Sequence, residues 1–191
     1  MPTTRHATVT TPLADELFLR RMHGHEELGQ PFVYELNLLS ESYDIEASKL
    51  LGQHVTVHLE TVGQQLRHFD GIVSQFAYVG ARGRYAEYRA VLRPWLWLLT
   101  QSVGNAVFLE QTIPDLVLQQ LRLSGYAELG PSSLHGTYDK RELIVQYRES
   151  LFNFVSRWLE HEGIYYYFTH EEGSHKLCLA DDSPGGQSVP E

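Results

Sequence analysis

The sequence predicts a β-rich α+β protein. An N-terminal antiparallel β-barrel-like domain takes residues 1–100, a smaller α/β domain of strand, helix and β-hairpin takes 101–181, and 182–191 is a linker or chain end. Three observations predict this. Apolar residues recur at period two from Leu17 to Arg93, and after Thr100 the period lengthens toward that of a helix. Gln146 to Phe168 then runs without a gap from a polar cap through an amphipathic stripe to a glycine stop and an aromatic strand.

The alternation defines the strands of the first half. Phe32, Tyr34, Leu36 and Leu38 alternate with Val33, Glu35 and Asn37; Val55, Val57 and Leu59 with His54, Thr56 and His58; and Tyr88, Ala90 and Leu92 with Arg89 and Val91. Turn signals at Gly24 to Pro31, Thr61 to Gln64 and Gly80 to Gly83 separate these runs, and Asp44 to Leu51 reads as one short helix crossing between strands. Several strands with one wet face favour a small closed or nearly closed barrel, because closure removes unpaired edges.

In the second half Thr112 caps a helix with Pro114 and Asp115 in its first turn and Ile113, Leu116, Val117 and Leu121 as its stripe, ending near Gly125. Leu129 to Tyr138 reads as a polar loop. Ser150 is the next N-cap, Leu151, Phe154, Val155, Trp158 and Leu159 recur at helical spacing, and Gly163 leaves the helix through a left-handed conformation. Ile164 to Phe168, a turn over Glu171 to Ser174, and Lys176 to Ala180 form a β-hairpin, in which Tyr166 lies on the side opposite Tyr165 and Tyr167, one side being a packed core face and the other partly wet.

With 42% hydrophobic residues in 191, the chain buries one generous core or two small ones. Fifteen scattered basic residues against 24 acidic ones give a net charge of -9, which argues against a nucleic-acid partner. Met1 to Arg20 lacks the pattern of a signal peptide, and no apolar run reaches the roughly 18 residues of a membrane span. The lone cysteine, Cys178, sits in an apolar strand pattern and reads as a small core residue.

The enzyme-like motifs fail on spacing. His25-Glu26 and His161-Glu162 begin like a helical zinc-protease motif, yet neither has the second histidine, and both run into glycine. His54 and His58 share a strand face, and His161, His170 and His175 surround one hairpin; solvated histidines are the expectation there, with no metal ligand assigned. Glu160 and Glu162, two apart on a helix, point roughly 200° from each other and do not converge as a glycosidase pair. Catalytic, cofactor-binding and metal residues are therefore expected to be none. Carboxylates in a last helical turn oppose the macrodipole, so Glu162, inside the stripe, is expected to be buried and paired with an arginine or a backbone N–H, Arg148 being the nearest candidate in sequence, and Glu160 more exposed.

Gln146 to Phe168 closely resembles the signature of the VgrG family, the trimeric spikes of bacterial type VI secretion systems, whose N-terminal half is similar to the hub of contractile phage tail baseplates. Met22 to Phe32, Leu38 to Glu41, Leu50 to Gln53, Phe69 to Val73, Leu92 to Leu99 and Leu179 to Asp181 resemble further family elements in the family's order. Leu151 and Trp158 depart from the pattern, where an acidic residue and a leucine are usual. The resemblance marks Arg148, Glu149, Arg157, Glu160, Glu162 and Gly163 as a structural signature. It implies a non-enzymatic hub and adaptor with no cofactor. Two such barrels per chain in three chains would form a pseudo-sixfold ring that caps the secreted hexameric tube and carries needle and effectors for membrane puncture.

The implied partners are a homotrimer in the full-length protein, the tube protein, effectors or adaptor proteins and a needle-tip protein, with the target membrane met only through the assembled spike. Synthesis in the cytoplasm without a signal peptide and export by the type VI apparatus follow from the same resemblance. Because the family's trimer is held largely by a C-terminal needle, this stretch alone is expected to be a weak trimer or a monomer. A baseplate hub of a phage or phage-like particle is the alternative; a cell-wall-degrading enzyme is disfavoured by the missing acid/base pair.

Overall fold

The computed structural model describes residues 7–61 and 65–181. Val62 to Gln64 of the turn expected after the third alternating run, the 182–191 linker and the first six residues lie outside them. The described residues divide into two compact units. One comprises the residues up to Glu27, Pro31–Trp95 and Thr169–His175; the other comprises Leu28–Gln30, Leu96–Phe168 and the residues from Lys176.

The first unit is a curled antiparallel half-barrel, in agreement with the expected fold class. Its strands are β1 (Ala7–Thr10), β2 (Phe18–His25), β3 (Val33–Ser40), β4 (His54–Glu60), β5 (Leu66–Arg82) and β6 (Tyr85–Arg93), in the order β1-β4-β5-β6-β3-β2. Every neighbouring pair is antiparallel, with the 17-residue β5 paired to β4 along its first half and to β6 along its second. β5 and β6 meet through the two-residue loop Gly83-Arg84, where Gly83 takes a φ of 63°. The period-two pattern of β3 buries Tyr34, Leu36 and Leu38 against Tyr88, Ala90 and Leu92 of β6. β1 and β2 are the two ends of the ladder, so among the described residues the sheet curls without closing by hydrogen bonds. The helix expected over Asp44 to Leu51 is a single 3-10 turn, Ala47–Lys49, whose Glu46 cap makes no side-chain bond; one uncapped turn is too short to propagate.

In the second unit a ribbon of β7 (Val103–Gln111) and β8 (Arg141–Ser150) packs its inner face on α2 (Leu151–His161), with Phe108 and Phe154 ring centroids 5.7 Å apart. Ser150 caps α2 by accepting the Asn153 N–H at 3.1 Å, and Phe154, Val155 and Leu159 are its buried stripe. Burying three such side chains contributes roughly 1.5–3 kcal/mol each. Thr112 caps α1 (Ile113–Leu123) as its sequence predicts, accepting the Asp115 N–H at 3.3 Å.

The hairpin strands are β9 (Tyr165–Glu171) and β10 (Ser174–Ala180), with Tyr166 buried and Tyr167 exposed. Leu129 to Tyr138 is more ordered than a loop: Leu129 and Ser133 form parallel bridges to Leu177 and Ala180 of β10. Gly130 makes that approach feasible, since a Cβ there would lie 2.5 Å from Cys178 Sγ. Cys178 is fully buried, as its apolar context predicts.

Candidate functional site

Alternation along β4 turns Val55 and Val57 to one face and His54, Thr56 and His58 to the other; the register sets Asp70 of β5 opposite Thr56, and His68 opposite His58. The tip of the β9–β10 hairpin, whose residues Thr169–His175 belong to the same unit, supplies the remaining groups. Gly173 N–H donates to Thr56 Oγ1 at 2.9 Å, and Thr56 donates to Asp70 Oδ2 at 2.8 Å. Asp70 Oδ1 lies 2.8 Å from His54 Nδ1 and 2.7 Å from His175 Nδ1. Burial alone would raise the Asp70 carboxyl, but the bonds from His175, His54 and Thr56 outweigh it and hold it down at about 2.

The backbone fixes the proton on one of these histidines. Trp95 N–H donates to His175 Nε2 at 2.8 Å, so that nitrogen is the acceptor and Nδ1 carries the hydrogen given to Asp70. His54, Asp70 and His175 gather three ligand atoms within 4.8 Å, the spacing of a metal cluster. A cation on His175 Nδ1, however, would move the ring proton to Nε2, directly against the Trp95 N–H. The trio is built as a hydrogen-bonded lock between strand pair and hairpin tip.

A second chain of bonds runs beside it. Tyr34 donates to Glu26 Oε1 at 2.5 Å, His170 Nε2 lies 3.1 Å from the same phenol oxygen, and His170 Nδ1 is 3.2 Å from the Asp70 amide nitrogen. Because the phenol hydrogen goes to Glu26, His170 must donate from Nε2 and accept at Nδ1, which describes a neutral ring. Burial pushes His170 down to about 4, and burial together with the bonded Glu26 carboxylate pushes Tyr34 up.

The expectation of solvated histidines is therefore corrected: His175 is fully buried, and His170 is enclosed by Phe32, Tyr34 and Phe69. Asp70 was missed at the sequence level. Its signal was a carboxylate within an otherwise apolar strand run, Phe69 to Val73, which a fold tolerates only when the group is paired.

Of the residues expected as a structural signature, Glu149, Arg157 and Gly163 make bonds within the second unit. Glu149 at the end of β8 takes two bonds from Arg157 of α2, at 2.5 and 3.3 Å, and the same guanidinium reaches Val145 O at 3.2 Å. Gly163, at a φ of 69°, closes α2 in a Schellman motif: its N–H reaches Glu160 O at 3.1 Å, and Ile164 N–H reaches Leu159 O at 2.9 Å. Arg148 occupies a bulge at a φ of 50°, its N–H bonded to Asn105 Oδ1 at 2.9 Å and its guanidinium over Tyr147.

The expected partner of Glu162 is corrected: it is Arg141, at 2.6 Å, whose guanidinium also covers Trp158. Arg148 is close in sequence, but the bulge turns it toward Tyr147. Glu162 is largely buried at 18% side-chain exposure, and Glu160 is exposed. Glu162→Gln should destabilise by about 1–3 kcal/mol in urea melts, with Glu160→Gln near zero; equal effects would show that the Arg141 bond contributes nothing. Asp181 ends the described chain by accepting from His135 N–H, Gly136 N–H and Tyr138 O–H, with Oδ2 at 2.8, 2.6 and 2.6 Å, which together hold its carboxyl at about 2.

Each unit also presents apolar surface. In the first, a groove of roughly 960 Å³ is lined by Leu19, Met22, Leu39, Val57, Phe69 and Arg67, among others. In the second, the outer face of the ribbon exposes Val103, Val107, Leu109, Leu143, Val145 and Tyr147, each 40–70% accessible. The pairing sets Val107 beside Val145 and Leu109 beside Leu143, so these side chains form one continuous patch of the kind that marks interaction surfaces.

The profile of the phage tail baseplate hub (GPD) family matches residues 25–191. The type VI secretion system spike protein VgrG1b of Pseudomonas aeruginosa is 44% identical over 188 residues, covering 98% of this chain and 25% of that protein. VgrG1a of the same organism, also a type VI spike protein, is 43% identical over 197 residues, covering all of this chain and 30% of its own length. Among solved structures, the E. coli c3393 protein superposes with a TM-score of 0.78 at 27% identity, over 90% of this chain and 50% of that one. That protein is described as a component of the type VI secretion system with structural similarity to the T4 bacteriophage tail proteins gp27 and gp5. The chain thus spans between a quarter and a third of the curated spike proteins it matches.

Proposed function

The chain belongs to the phage tail baseplate hub family, and from that premise we propose that this hub domain acts as the structural adaptor of a type VI secretion spike. The observation that carries the reading is the 43–44% identity to curated type VI spike proteins across essentially the whole chain. The geometry supports a mechanical role. Asp70 and His175 of the first unit are engaged with each other in the lock, and Glu162 is paired with Arg141. In this reading three copies form a ring on the end of the hexameric tube, effectors or adaptors ride on the spike, and the assembly leaves the cell through the type VI apparatus without chemistry by the hub.

A graft tests it. The first 181 residues would replace the matching stretch of VgrG1b in a Pseudomonas aeruginosa strain lacking its own copy. Restored secretion of the tube protein is expected; a stable, soluble chimera that leaves the tube protein inside the cell would overturn the role.

Assembly gives a second measurement. Association of three chains costs ~4–15 kcal/mol per step in lost freedom, and a net charge of -9 per chain adds repulsion screened over ~8 Å in physiological salt. Light scattering on this chain at micromolar concentration should give one chain, or a trimer that dissociates on dilution. A trimer persisting at nanomolar concentration would instead place the assembly energy in the hub.

A further inference from the structure

We propose that His58 and His68 form a chelating site for a single borderline divalent cation, zinc, nickel or copper, bound through the two Nδ1 atoms of a cross-strand pair. The residues are directly opposite in the β4–β5 register, and their Nδ1 atoms face each other at 2.9 Å with the rings at 89°. Two neutral imidazoles in that arrangement must share one hydrogen between two lone pairs, and two protonated ones would point hydrogens at each other. A cation satisfies both lone pairs at once. Metal–nitrogen bonds of about 2.0–2.1 Å in tetrahedral geometry need the nitrogens about 3.3 Å apart, an opening of a few tenths of an ångström. Imidazole pairs suit ions of this class.

The surroundings suit coordination here, where they oppose it at His175. His58 Nε2 lies 2.8 Å from Thr10 Oγ1 and 4.0 Å from Glu172 Oε1 of the hairpin turn. A hydroxyl can accept the Nε2 hydrogen that coordination through Nδ1 requires, and a carboxylate just beyond it is the usual outer-sphere support. The Trp95 amide, by contrast, can only donate to His175. His58 is largely buried, with 11% of its side chain exposed, and His68 is half-buried, which leaves the His68 side open for water ligands to complete the sphere. No metal ligand is expected from the spacing, since periodicity pairs His58 with His54 on one strand and carries no information about His68 across from it.

The test is isothermal titration of the tag-free, chelator-dialysed chain with zinc, and Cu²⁺ paramagnetic resonance of the same protein. One ion per chain and a two-nitrogen hyperfine pattern are expected. His58→Gln and His68→Gln should each weaken binding at least about tenfold, while His25→Gln, at an exposed histidine away from the pair, should leave it unchanged. Circular dichroism confirms that each variant is folded, and His68→Gln, which touches no Asp70 bond, serves if His58→Gln is not. Absence of binding, or binding by His68→Gln as tight as by the unmodified chain, would overturn the site.

Discussion

Replacing Asp70 with alanine should destabilise the first unit by roughly 3–5 kcal/mol, because the carboxylate is fully buried and is the common acceptor for His175, His54 and Thr56. The loss exceeds that of an ordinary hydrogen bond for a specific reason. His175 cannot reverse its ring to find another acceptor, since Trp95 N–H holds Nε2 as the receiving atom. Removing Asp70 therefore strands a buried N–H and a buried hydroxyl together. Asp70→Asn keeps the volume and an oxygen for the two histidines, with its NH₂ toward a Thr56 hydroxyl that would have to accept instead of donate, so it should recover part of the loss. Hydrogen exchange localises the effect: the amides of Trp95 and Gly173, which donate to His175 and Thr56, should lose protection in Asp70→Ala. A variant with unchanged urea midpoint and unchanged protection at those two amides would show that the lock is ornamental.

The parts of the molecule that were readable in the sequence are those whose causes are local. Ser150, Gly163 and the apolar stripe between them lie within 14 residues, and each acts on backbone groups a turn away, so α2 and its Schellman close follow from spacing alone. The same holds for Thr112 and α1, and for the alternation of β3. The lock was not readable, because Asp70 and His175 are separated by 105 positions and meet only once the hairpin tip lies on β4 and β5. Period two said that His54 and His58 share a face but not what covers that face. Arg141 was likewise overlooked in favour of Arg148: twenty-one residues separate Arg141 from Glu162, and the bulge that turns Arg148 away arises from the register shift between β7 and β8.

Acid should open the first unit in two stages. His170 sits at about 4 in the folded chain, held down mainly by burial, against an ordinary 6.5. Between those values the unfolded chain binds a proton that the folded chain refuses, so stability is full above about pH 6.5 and falls as the pH drops toward 4, by about 3 kcal/mol in all. Asp70 follows lower. Its folded value of about 2 lies below the ordinary 3.8, so the folded carboxylate resists a proton that the unfolded one takes, and a further ~2 kcal/mol is lost as the pH falls from 3.8 to 2. His58, lowered by burial, acts in the same direction as His170, and Asp181 in the second unit in the same direction as Asp70. Urea midpoints at pH 7, 4.5 and 3 separate the stages. His170→Gln, which removes the titrating ring, should be less stable at pH 7 but lose little more between pH 7 and 4.5, while keeping the drop below pH 4. A midpoint for the unmodified chain that is flat from pH 7 to 4.5 would mean that His170 takes its proton in place, with Nδ1 donating to the Asp70 carbonyl 3.1 Å away, and that the bond chain from Asp70 through Tyr34 to Glu26 does not depend on a neutral ring.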